Sequence, residues 1–217
     1  MVRLTLDDRY DAMPWDEVDA VVFDVGNVLL TFDPPALLRE HLPEVPELHP
    51  MLLQRVFRSP YWPMLDHGTV TLLEAADAMC GRDEELRPYF RKIVTGWVRL
   101  RNPVAEGVAA LRACKAHGKR CYVLSNYSRE AFPVAEEMHD FFRLMDGKVI
   151  SSEVGLLKPD PRIYRLLTDR FGLEPSRTLF IDDLPANIEG ALYAGWQGLC
   201  FSEAGKLRRF FGLEGEQ

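Results

Sequence analysis

Four polar clusters in this 217-residue chain combine residue types that could do chemistry, and each follows a short apolar segment. The groups that they offer are carboxylates, a hydroxyl, side-chain amides and one lysine ammonium. In chain order the clusters are Asp24-Val25-Gly26-Asn27, Ser125-Asn126, Lys158-Pro159-Asp160 and Asp182-Asp183. A single aspartate after a strand is most often a helix cap or a turn residue. Four clusters in the same position relative to successive strands are harder to explain as turns, and they favour a shared site.

The three aspartates Asp24, Asp182 and Asp183 would repel one another strongly if they met in one crevice. A divalent cation would remove that repulsion, and Mg²⁺ fits because it prefers oxygen ligands and usually binds one or two carboxylates together with phosphate oxygens. Lys158 would add a positive charge able to hold a phosphate group or to steady a nucleophilic carboxylate. Ser125 and nearby backbone amides can donate hydrogen bonds to phosphate oxygens. A carboxylate nucleophile, a metal ion and fixed donors are what phosphoryl transfer requires.

These clusters can meet only if the apolar segments before them belong to one sheet. Five short segments have the β-rich, apolar composition of strands that are buried on both faces. They are Ala20–Phe23, 120–124, 148–150, 178–181 and 198–201. Helical stretches separate them, and this alternation predicts an α/β fold with a doubly wound parallel sheet. Because the carboxyl ends of parallel strands converge on one crevice, the four clusters are expected to face one another there.

Proline and glycine mark the expected ends of two helices between these strands. Asn102-Pro103 predicts a helix start and His117-Gly118 predicts its end. Asp160-Pro161 and Phe171-Gly172 repeat the same pair of signals.

Residues 34–101 interrupt the alternation, because they contain no convincing strand pattern. Helices are predicted around 48–57, 72–80 and 84–97, and Thr71 with Glu74 forms the pattern of a capping box that opens the second of them. An all-helical insertion after the first strand suggests a cap over the carboxyl ends of the strands. We therefore expect a polar leader without clear structure at 1–17, a catalytic core at 18–33 and 102–217, and a helical cap at 34–101.

Composition and charge narrow the possible partners. The net charge of −7 argues against nucleic acid, because phosphate-backbone binding needs clustered Lys and Arg. No apolar run approaches the roughly 20 residues that span a bilayer, and the N-terminus has no signal-peptide pattern. The four cysteines have no C-x-x-C spacing, which favours free thiols in a reducing compartment. We expect a cytoplasmic protein that acts on small molecules and binds neither nucleic acid nor a membrane; its oligomeric state is not predicted.

In this order and at this spacing, the motifs resemble those of the haloacid dehalogenase superfamily, and within it the phosphatases that carry a helical cap after the first strand. The matching segments are Phe23-Asp24-Val25-Gly26-Asn27-Val28 with Asp33, Leu124-Ser125-Asn126, Lys158-Pro159-Asp160 with Ile163-Tyr164, and Asp182-Asp183 with Asn187-Ile188-Glu189-Gly190. The resemblance covers about 18–201, and the ordered set is specific although each motif alone is weak. It is greatest to the branch that contains bacterial α-glucose-1-phosphate phosphatase. It implies a Rossmann-like core and Mg²⁺-dependent hydrolysis of small phosphomonoesters, with sugar phosphates as substrates by analogy alone.

The resemblance also implies a role for each acidic residue of the motifs. Asp24 would attack phosphorus and become an aspartyl-phosphate. The Asp24 carboxylate, the backbone carbonyl of Gly26 and the Asp183 carboxylate would hold the Mg²⁺ ion. Asp182 would act mainly through a water molecule on that ion.

The polar residues of the other motifs would bind the phosphoryl group on the same grounds. Ser125 and the backbone amide of Asn126 would hold its oxygens, and Lys158 would stabilise the charge between nucleophile and phosphate. Asn187 and Asp33 are two further candidates from the matching segments.

One position departs from the family pattern. Many relatives have a second aspartate two positions after the nucleophile, where it serves as general acid and base, and here that position is Gly26. The sugar-phosphate branch resembles this chain in carrying glycine there. General acid–base catalysis contributes roughly 10²–10⁴-fold, so another group must replace the aspartate or the enzyme is slow on poor leaving groups. Asp33 and a metal-bound water are the candidates, although Asp33 precedes Pro34-Pro35 and is equally suited to cap the next helix.

Two other functions stay open at this point. A 2-haloacid dehalogenase would share the nucleophile, the Ser-Asn pair and the lysine, but it needs no metal and typically lacks the Asp182-Asp183 pair. Loss of the acid at Gly26 would also fit a regulatory protein that binds phosphate without turnover. The retained aspartate pair favours phosphate ester hydrolysis over dehalogenation, and a turnover assay separates an enzyme from a binding protein.

Overall fold

Each of the five predicted strands is present, and together they form one parallel sheet. The computed structural model describes residues 5–201 and 205–213. The strands are β1 (Ala20–Phe23), β2 (Arg120–Ser125), β3 (Gly147–Ile150), β4 (Thr178–Asp182) and β5 (Gln197–Cys200). Their order across the sheet is β3-β2-β1-β4-β5, which is a doubly wound α/β order. The predicted strand boundaries differ from these by one residue at most.

Eleven α-helices accompany the sheet within the described residues. Five lie between β1 and residue 100, namely α1 (Pro34–His41), α2 (His49–Leu52), α3 (Tyr61–His67), α4 (Leu72–Cys80) and α5 (Arg87–Gly96). A π-helical turn over Leu53–Phe57 continues α2. The other six are α6 (Ala105–Ala116), α7 (Phe132–Met138), α8 (Ser151–Val154), α9 (Pro161–Phe171), α10 (Pro185–Tyr193) and α11 (Lys206–Phe210). Short 3₁₀ turns cover Trp15–Glu17, Pro46–Leu48, Glu84–Leu86, Trp97–Leu100, Asp140–Leu144 and Pro175–Arg177.

Apolar side chains cover both faces of the sheet. Along β1, Val21 and Phe23 belong to one core cluster, and Ala20 and Val22 belong to the other, as the alternation of side chains along a strand requires. Helix α6 packs on the first face, whereas α9 and α10 pack on the second. Burial on both faces explains why the strands are apolar throughout. Polar clusters can therefore lie only beyond the ends of the strands.

The segment predicted as a cap contains α1–α5 and, within the described residues, no strand. The capping box of α4 is present, because Thr71 Oγ1 accepts a hydrogen bond from the Glu74 amide at 3.2 Å and Glu74 Oε2 accepts one from the Thr71 amide at 2.8 Å. Asp33 before Pro34-Pro35 suggests the start of α1, but the sequence predicts no bounds for this helix. It does not predict α3, which is short and has Pro63 within its apolar pattern. The division of the chain into leader, core and cap stays a prediction.

Helix α6 begins at Ala105 and not at the predicted Asn102-Pro103 signal. Pro103 instead forms a bridge with Leu30, and the Asn102 carbonyl accepts a hydrogen bond from the Thr31 amide at 2.8 Å. This pairing with the segment after β1 keeps both residues extended. Tertiary contacts therefore override a local helix-start signal.

The other helix-end signals are confirmed. The side chain of Asp160 caps the start of α9, and Gly172, with a φ of 58°, follows its end. Gly118 follows α6 with a φ of 68°. Asp33 caps α1, since its Oδ1 atom accepts a hydrogen bond from the Ala36 amide at 3.1 Å. Of its two suggested roles, helix capping is therefore the one that Asp33 performs.

The N-terminal leader packs against the core over its described part. Leu6 is fully buried, and its amide donates a hydrogen bond to the Gly198 carbonyl at 2.7 Å. Met13 is buried as well, and its amide donates to the Phe210 carbonyl at 2.8 Å. Leu6 and Met13 therefore attach the described part of the leader to the core, whereas residues 1–4 lie outside the described residues; the leader as a separate segment stays a prediction.

Three of the four cysteines, Cys80, Cys114 and Cys121, are buried free thiols. Burial raises the pKa of the Cys114 thiol, so this group stays protonated. Among the described residues, no helix combines the length and the apolar composition needed to cross a membrane.

Gly107, near the start of α6, sets how closely this helix approaches the loop after β1. A Cβ atom at this position would lie 1.7 Å from the carbonyl oxygen of Val28. A Gly→Ala change inside a helix normally stabilises by roughly 0.5–1 kcal/mol, but overpacking of this kind costs roughly 1–3 kcal/mol. We expect Gly107→Ala to lower the free energy of unfolding by about 1–3 kcal/mol in urea denaturation.

The control for this prediction is Gly96→Ala in α5, where the added atom would meet the end of the His41 side chain, which can move. It should change the free energy of unfolding less than Gly107→Ala does. A gain in stability for Gly107→Ala would contradict the close approach of α6.

Candidate active site

A cavity of about 280 Å³ opens at the carboxyl ends of the strands, where the polar clusters meet. Its lining residues are Asp24, Gly26, Asn27, Phe32, Trp62, Asp66, Trp97, Arg101, Ser125, Asn126, Tyr127, Lys158, Asp183, Leu184 and Asn187. Seven of the nine predicted site residues are among them. Asp182 is fully buried and does not line the cavity, and Asp33 is exposed where it caps α1. The predicted convergence of the strand ends is therefore present.

Asp24 follows β1 directly, and two donors hold its carboxylate. Ser125 Oγ donates a hydrogen bond to Asp24 Oδ1 at 2.8 Å, and Lys158 Nζ lies 2.8 Å from the same oxygen. The Asp24 amide donates to the Ile181 carbonyl at 2.9 Å, which extends the pairing with β4 by one residue. The other oxygen, Oδ2, lies 3.9 Å from the point where a Cβ atom on Gly26 would stand. Asp24 is 7% exposed, so its carboxylate is reached from the cavity alone.

Lys158 is the positive centre of the site, and its side chain is only 1% exposed. Its Nζ atom lies 2.8 Å from Asp24 Oδ1 and 2.6 Å from Asp182 Oδ2. Burial alone would lower the pKa of Lys158, but the negative charges of Asp24 and Asp182 and the hydrogen bonds to them raise it above its ordinary value. Lys158 therefore stays protonated at neutral pH.

Both carboxylate oxygens of Asp182, the last residue of β4, accept hydrogen bonds from protein donors. The Leu184 amide donates to Oδ1 at 2.8 Å, and Asn187 Nδ2 lies 3.0 Å from Oδ1 and 3.1 Å from Oδ2. Lys158 Nζ donates to Oδ2. Burial raises the pKa of Asp182 to about 6, with the Lys158 charge opposing the increase and the Asp24 charge adding to it. Because its oxygens already have donors, Asp182 is suited to fix Lys158 rather than to bind an ion directly.

The acidic side of the cavity offers oxygen ligands for a metal ion. One oxygen of each of Asp24, Asp182 and Asp183 lies within 4.8 Å of the other two. Asp183 Oδ2 accepts a hydrogen bond from Asn27 Nδ2 at 3.0 Å. Burial raises the pKa of Asp183, the Asn27 hydrogen bond lowers it, and the Asp24 charge raises it further. Within the described part of the chain the Gly26 carbonyl receives no hydrogen bond. Two crowded carboxylates and an unused carbonyl form a set of hard oxygen donors that fits Mg²⁺.

The side chain of Asn126 holds the backbone of Lys158 on both sides. Asn126 Nδ2 donates to the Lys158 carbonyl at 3.1 Å, and the Lys158 amide donates to Asn126 Oδ1 at 2.8 Å. This bridge joins the end of β2 to the loop before α9. It fixes the origin of the lysine side chain, so the Asn126 side chain has a positioning role that the sequence does not reveal.

Arg101 lines the cavity, although nothing in the sequence singles it out. It is 3% exposed, and it donates from Nε to the Thr31 carbonyl at 2.6 Å and from Nη2 to the Leu30 carbonyl at 2.9 Å. Its guanidinium carbon lies over three rings, at 5.3 Å from Phe32, 5.4 Å from Trp97 and 5.4 Å from Tyr127. A Cβ atom on Gly26 would lie 3.7 Å from Arg101 Nη2. The guanidinium therefore occupies the neighbourhood of the missing side chain at that position.

Aromatic rings form an apolar wall of the same cavity, and they are Phe32, Trp62, Trp97 and Tyr127. The ring centroids of Phe32, Trp62 and Trp97 lie 5.5 to 5.8 Å apart. Those of Trp97 and Tyr127 lie 5.3 Å apart. Trp62 belongs to α3, so the segment predicted as a cap contributes directly to the wall. A bound molecule would have charged groups on one side and aromatic rings on the other.

Asp66 is a further lining residue that the sequence does not point to. It lies in α3, which the sequence does not predict, and an acidic residue in a polar helix end has no distinguishing pattern. Only the packing of α3 brings it to the same cavity as the nucleophile candidate.

Removal of the Asn126 bridge provides a test of how Lys158 is held. Asn126→Ala leaves the amide and the carbonyl of Lys158 without partners, and an unsatisfied buried polar group costs roughly 1–3 kcal/mol. We expect the free energy of unfolding in urea to fall by about that amount. Asn102→Ala is the matched control, because Asn102 is exposed, and it should stay within about 0.5 kcal/mol of the wild type. Equal losses in the two variants would argue against the bridge.

Comparisons with known proteins identify relatives of two kinds. The sesquiterpene phosphatase of Aspergillus oryzae is 26% identical over 189 residues, which are 85% of this chain and 90% of that protein. A dehalogenase crystal structure matches with a TM-score of 0.67 and 22% identity, and it covers 88% of this chain and 87% of its own. A haloacid dehalogenase family enzyme from Bacteroides thetaiotaomicron, in complex with magnesium and inorganic phosphate, matches with a TM-score of 0.61 and 19% identity, over 84% of this chain and 93% of its own.

At these identities the two structural matches concern the fold alone. The family itself follows from a broader match, because the model of the haloacid dehalogenase-like hydrolases matches residues 18–195. This span contains all four polar clusters and the cavity between them. The chain belongs to the haloacid dehalogenase-like hydrolase family.

Proposed function

We propose that this protein is a Mg²⁺-dependent phosphatase that hydrolyses small phosphomonoesters through an aspartyl-phosphate on Asp24. The observation that carries the proposal is the setting of the Asp24 carboxylate. Ser125 and Lys158 hold one of its oxygens, and Asp183 brings a second carboxylate within 4.8 Å. This combination of a fixed carboxylate, a buried cation and an acidic edge supplies the groups that phosphoryl transfer uses.

The reaction on this site has two steps. An Asp24 oxygen attacks phosphorus while the bond from phosphorus to the ester oxygen breaks, so the phosphoryl group moves to Asp24. Water then attacks phosphorus, and inorganic phosphate leaves as the Asp24 carboxylate is restored. The Ser125 hydroxyl, which donates to Asp24 Oδ1 in this structure, would turn to a phosphoryl oxygen, and the backbone amide of Asn126 would donate to another. Lys158 stays positively charged and offsets the negative charge of nucleophile and phosphate.

Asp24, Asp183 and the Gly26 carbonyl would hold Mg²⁺, which would neutralise charge on the phosphoryl group. Asp182 would act on the ion only through water, because protein donors already bind its oxygens. The net charge of −7 makes local positive charge necessary for an anionic substrate.

Sugar phosphates are the first proposed substrate class, and isoprenoid phosphates are the second. The aromatic wall defined above would contact the apolar face of a sugar ring, and it would pack equally well against an isoprenoid chain. The relative from Aspergillus oryzae is a sesquiterpene phosphatase, which supports the second class. Comparison of kcat/KM for members of both classes, assayed side by side, decides between them.

The partners and location proposed here rest on composition. A net charge of −7 supports a small phosphomonoester as the partner, without nucleic acid or a membrane. The buried free thiols of Cys80, Cys114 and Cys121 support a cytoplasmic location. Fractionation of the cells that produce the protein would test the location.

Arg101 favours one alternative, which is 2-haloacid dehalogenation. A buried guanidinium near Asp24 could bind the carboxylate of a haloacid while Asp24 displaces the halide, without any metal. The Asp182-Asp183 pair weighs against this function, because dehalogenation needs no metal and so gives no use to the Asp183 carboxylate beside Asp24.

Replacement of the nucleophile is the direct test of the proposal. With Mg²⁺, the wild-type protein should release phosphate from p-nitrophenyl phosphate and from at least one sugar or isoprenoid phosphate. Asp24→Asn should reduce phosphate release below detection, because an amide oxygen is a poor nucleophile. Asp169→Asn, on an exposed position of α9, is the control and should keep full activity.

Thermal melting of Asp24→Asn shows whether the fold is intact. Undiminished turnover in this variant would remove Asp24 as nucleophile. Release of halide from 2-chloropropionate, without phosphate release, would establish the dehalogenase alternative, and inactivity of the wild type in both assays would indicate a binding protein.

Metal dependence gives a second prediction. EDTA should suppress phosphate release and Mg²⁺ should restore it. Mg²⁺ should also raise the melting temperature of the wild type, because an ion that binds only the folded protein stabilises it by mass action. Asp183→Asn should lose both this rise and the activity, whereas Asp169→Asn should keep both. Activity that does not respond to chelation would favour dehalogenation.

A further inference from the structure

The proposed reaction lacks a proton donor at the expected place. The alkoxide that leaves from a sugar or isoprenoid phosphate is a strong base, so breaking its bond to phosphorus requires a proton. Gly26 has no side chain that could supply this proton. A Cβ atom on Gly26 would lie 3.7 Å from Arg101 Nη2, so, chain neighbours aside, the arginine is the nearest side chain to that position. An arginine cannot be the donor, because its pKa is far above neutrality. The proton must come from another part of the cavity wall.

Three acidic residues line the cavity within the described residues, and only Asp66 has no role so far. Asp24 is the nucleophile of the proposed reaction, and Asp183 lies at the edge that would hold the metal. Asp33, the candidate from the sequence, does not line the cavity, and its carboxylate caps α1. Within the described residues, Asp66 is therefore the lining acid that is left to supply the proton.

Hydrogen bonds tie the backbone of Asp66 to the loops at the strand ends. Ser151, which follows β3 directly, donates from Oγ to the Asp66 carbonyl. The same hydroxyl accepts a hydrogen bond from the Tyr127 amide, after β2, at 3.0 Å. Arg129 Nη2 donates to the Gly68 carbonyl at 3.2 Å and so holds the turn after α3. The end of α3 is thus fixed relative to the loops that carry the phosphate-binding groups.

The charges around Asp66 suit a carboxyl that both gives and takes a proton. Burial raises the pKa of Asp66 to about 7, and the negative charge of Asp24 adds to the increase. The positive charges of Lys158 and Arg101 oppose it, and the Tyr127 hydroxyl is the other ionisable group that interacts with it. A group with this pKa is present in both forms near pH 7, where general acid–base catalysis is most effective.

We propose that Asp66 is the general acid and base of this phosphatase, an inference that rests on the function proposed above. In the first step its carboxyl gives a proton to the ester oxygen, while the bond from that oxygen to phosphorus breaks and Asp24 accepts the phosphoryl group. In the second step its carboxylate takes a proton from water, while the water oxygen bonds to phosphorus and the bond from phosphorus to Asp24 breaks. One turnover therefore returns Asp66 to its protonated state.

The dependence on the leaving group tests this assignment. p-Nitrophenolate is a weak base and leaves without being protonated, whereas an alkoxide is a strong base and needs a proton in order to leave. Asp66→Asn is expected to lower kcat/KM for the best sugar or isoprenoid phosphate by roughly 10²–10⁴-fold and to change kcat/KM for p-nitrophenyl phosphate by less than about 3-fold. Stopped-flow assays of the variant should also show a burst of p-nitrophenolate, about one per enzyme, because hydrolysis of the aspartyl-phosphate has lost its base.

Two further variants separate catalysis from structure. Asp33→Asn is the matched control, since asparagine also caps a helix, and it should leave both kcat/KM values unchanged. Asp66→Glu keeps a carboxyl and should recover part of the activity on the alkyl phosphate. Thermal melting shows whether each variant is folded.

Each other outcome overturns the assignment. Wild-type kcat/KM on the alkyl phosphate in Asp66→Asn would show that the proton comes from elsewhere. An equal loss on both substrates would show a structural role for Asp66. A wild-type protein inactive on every phosphate ester would refute the proposed function first, and the role of Asp66 with it.

Discussion

The contact on which the site depends is the buried ammonium of Lys158 between two carboxylates. It lies 2.8 Å from Asp24 Oδ1 and 2.6 Å from Asp182 Oδ2, and the three side chains are between 0% and 10% exposed. Charges at this depth are tolerated only when they are paired and hydrogen-bonded, and removal of one partner leaves the other uncompensated. The surrounding residues meet this requirement, because Ser125 donates to Asp24 and Asn187 donates to Asp182. The nucleophile is therefore positioned by electrostatics as much as by the sheet.

Even with this lysine, the site holds more negative charge than positive. Four aspartates and two cations interact there, namely Asp24, Asp66, Asp182, Asp183, Lys158 and Arg101. The raised pKa values of Asp66, Asp182 and Asp183 follow from burial and from the charge of Asp24. A divalent cation at the Asp183 edge would offset the excess and favour the ionised forms of Asp182 and Asp183. Metal binding and proton release are therefore linked in this site.

The strands and most of the site are predictable from the sequence for one physical reason. A segment buried on both faces must be apolar, and a polar residue directly after it in a parallel sheet must lie at the carboxyl ends of the strands, as Asp24 does after β1. Lys158 comes later, because α8 lies between it and β3. Long-range packing is not predictable in this way. The Asn102-Pro103 signal fails because these residues pair with the segment after β1. Arg101 and Asp66 reach the cavity only through tertiary packing, and no local pattern distinguishes them from exposed charges.

An acid on α3 changes what controls the reaction. When the general acid follows the nucleophile by two residues, both residues lie on the loop directly after β1. Here the carbonyl of Asp66 is bound by Ser151, so the supply of a proton depends on α3 resting on the core. Trp62, on the same helix, belongs to the aromatic wall that would contact the leaving group. A leaving group that fits this wall would be held beside Asp66, the proposed proton donor. Selection among substrates then acts on the chemical step as well as on binding.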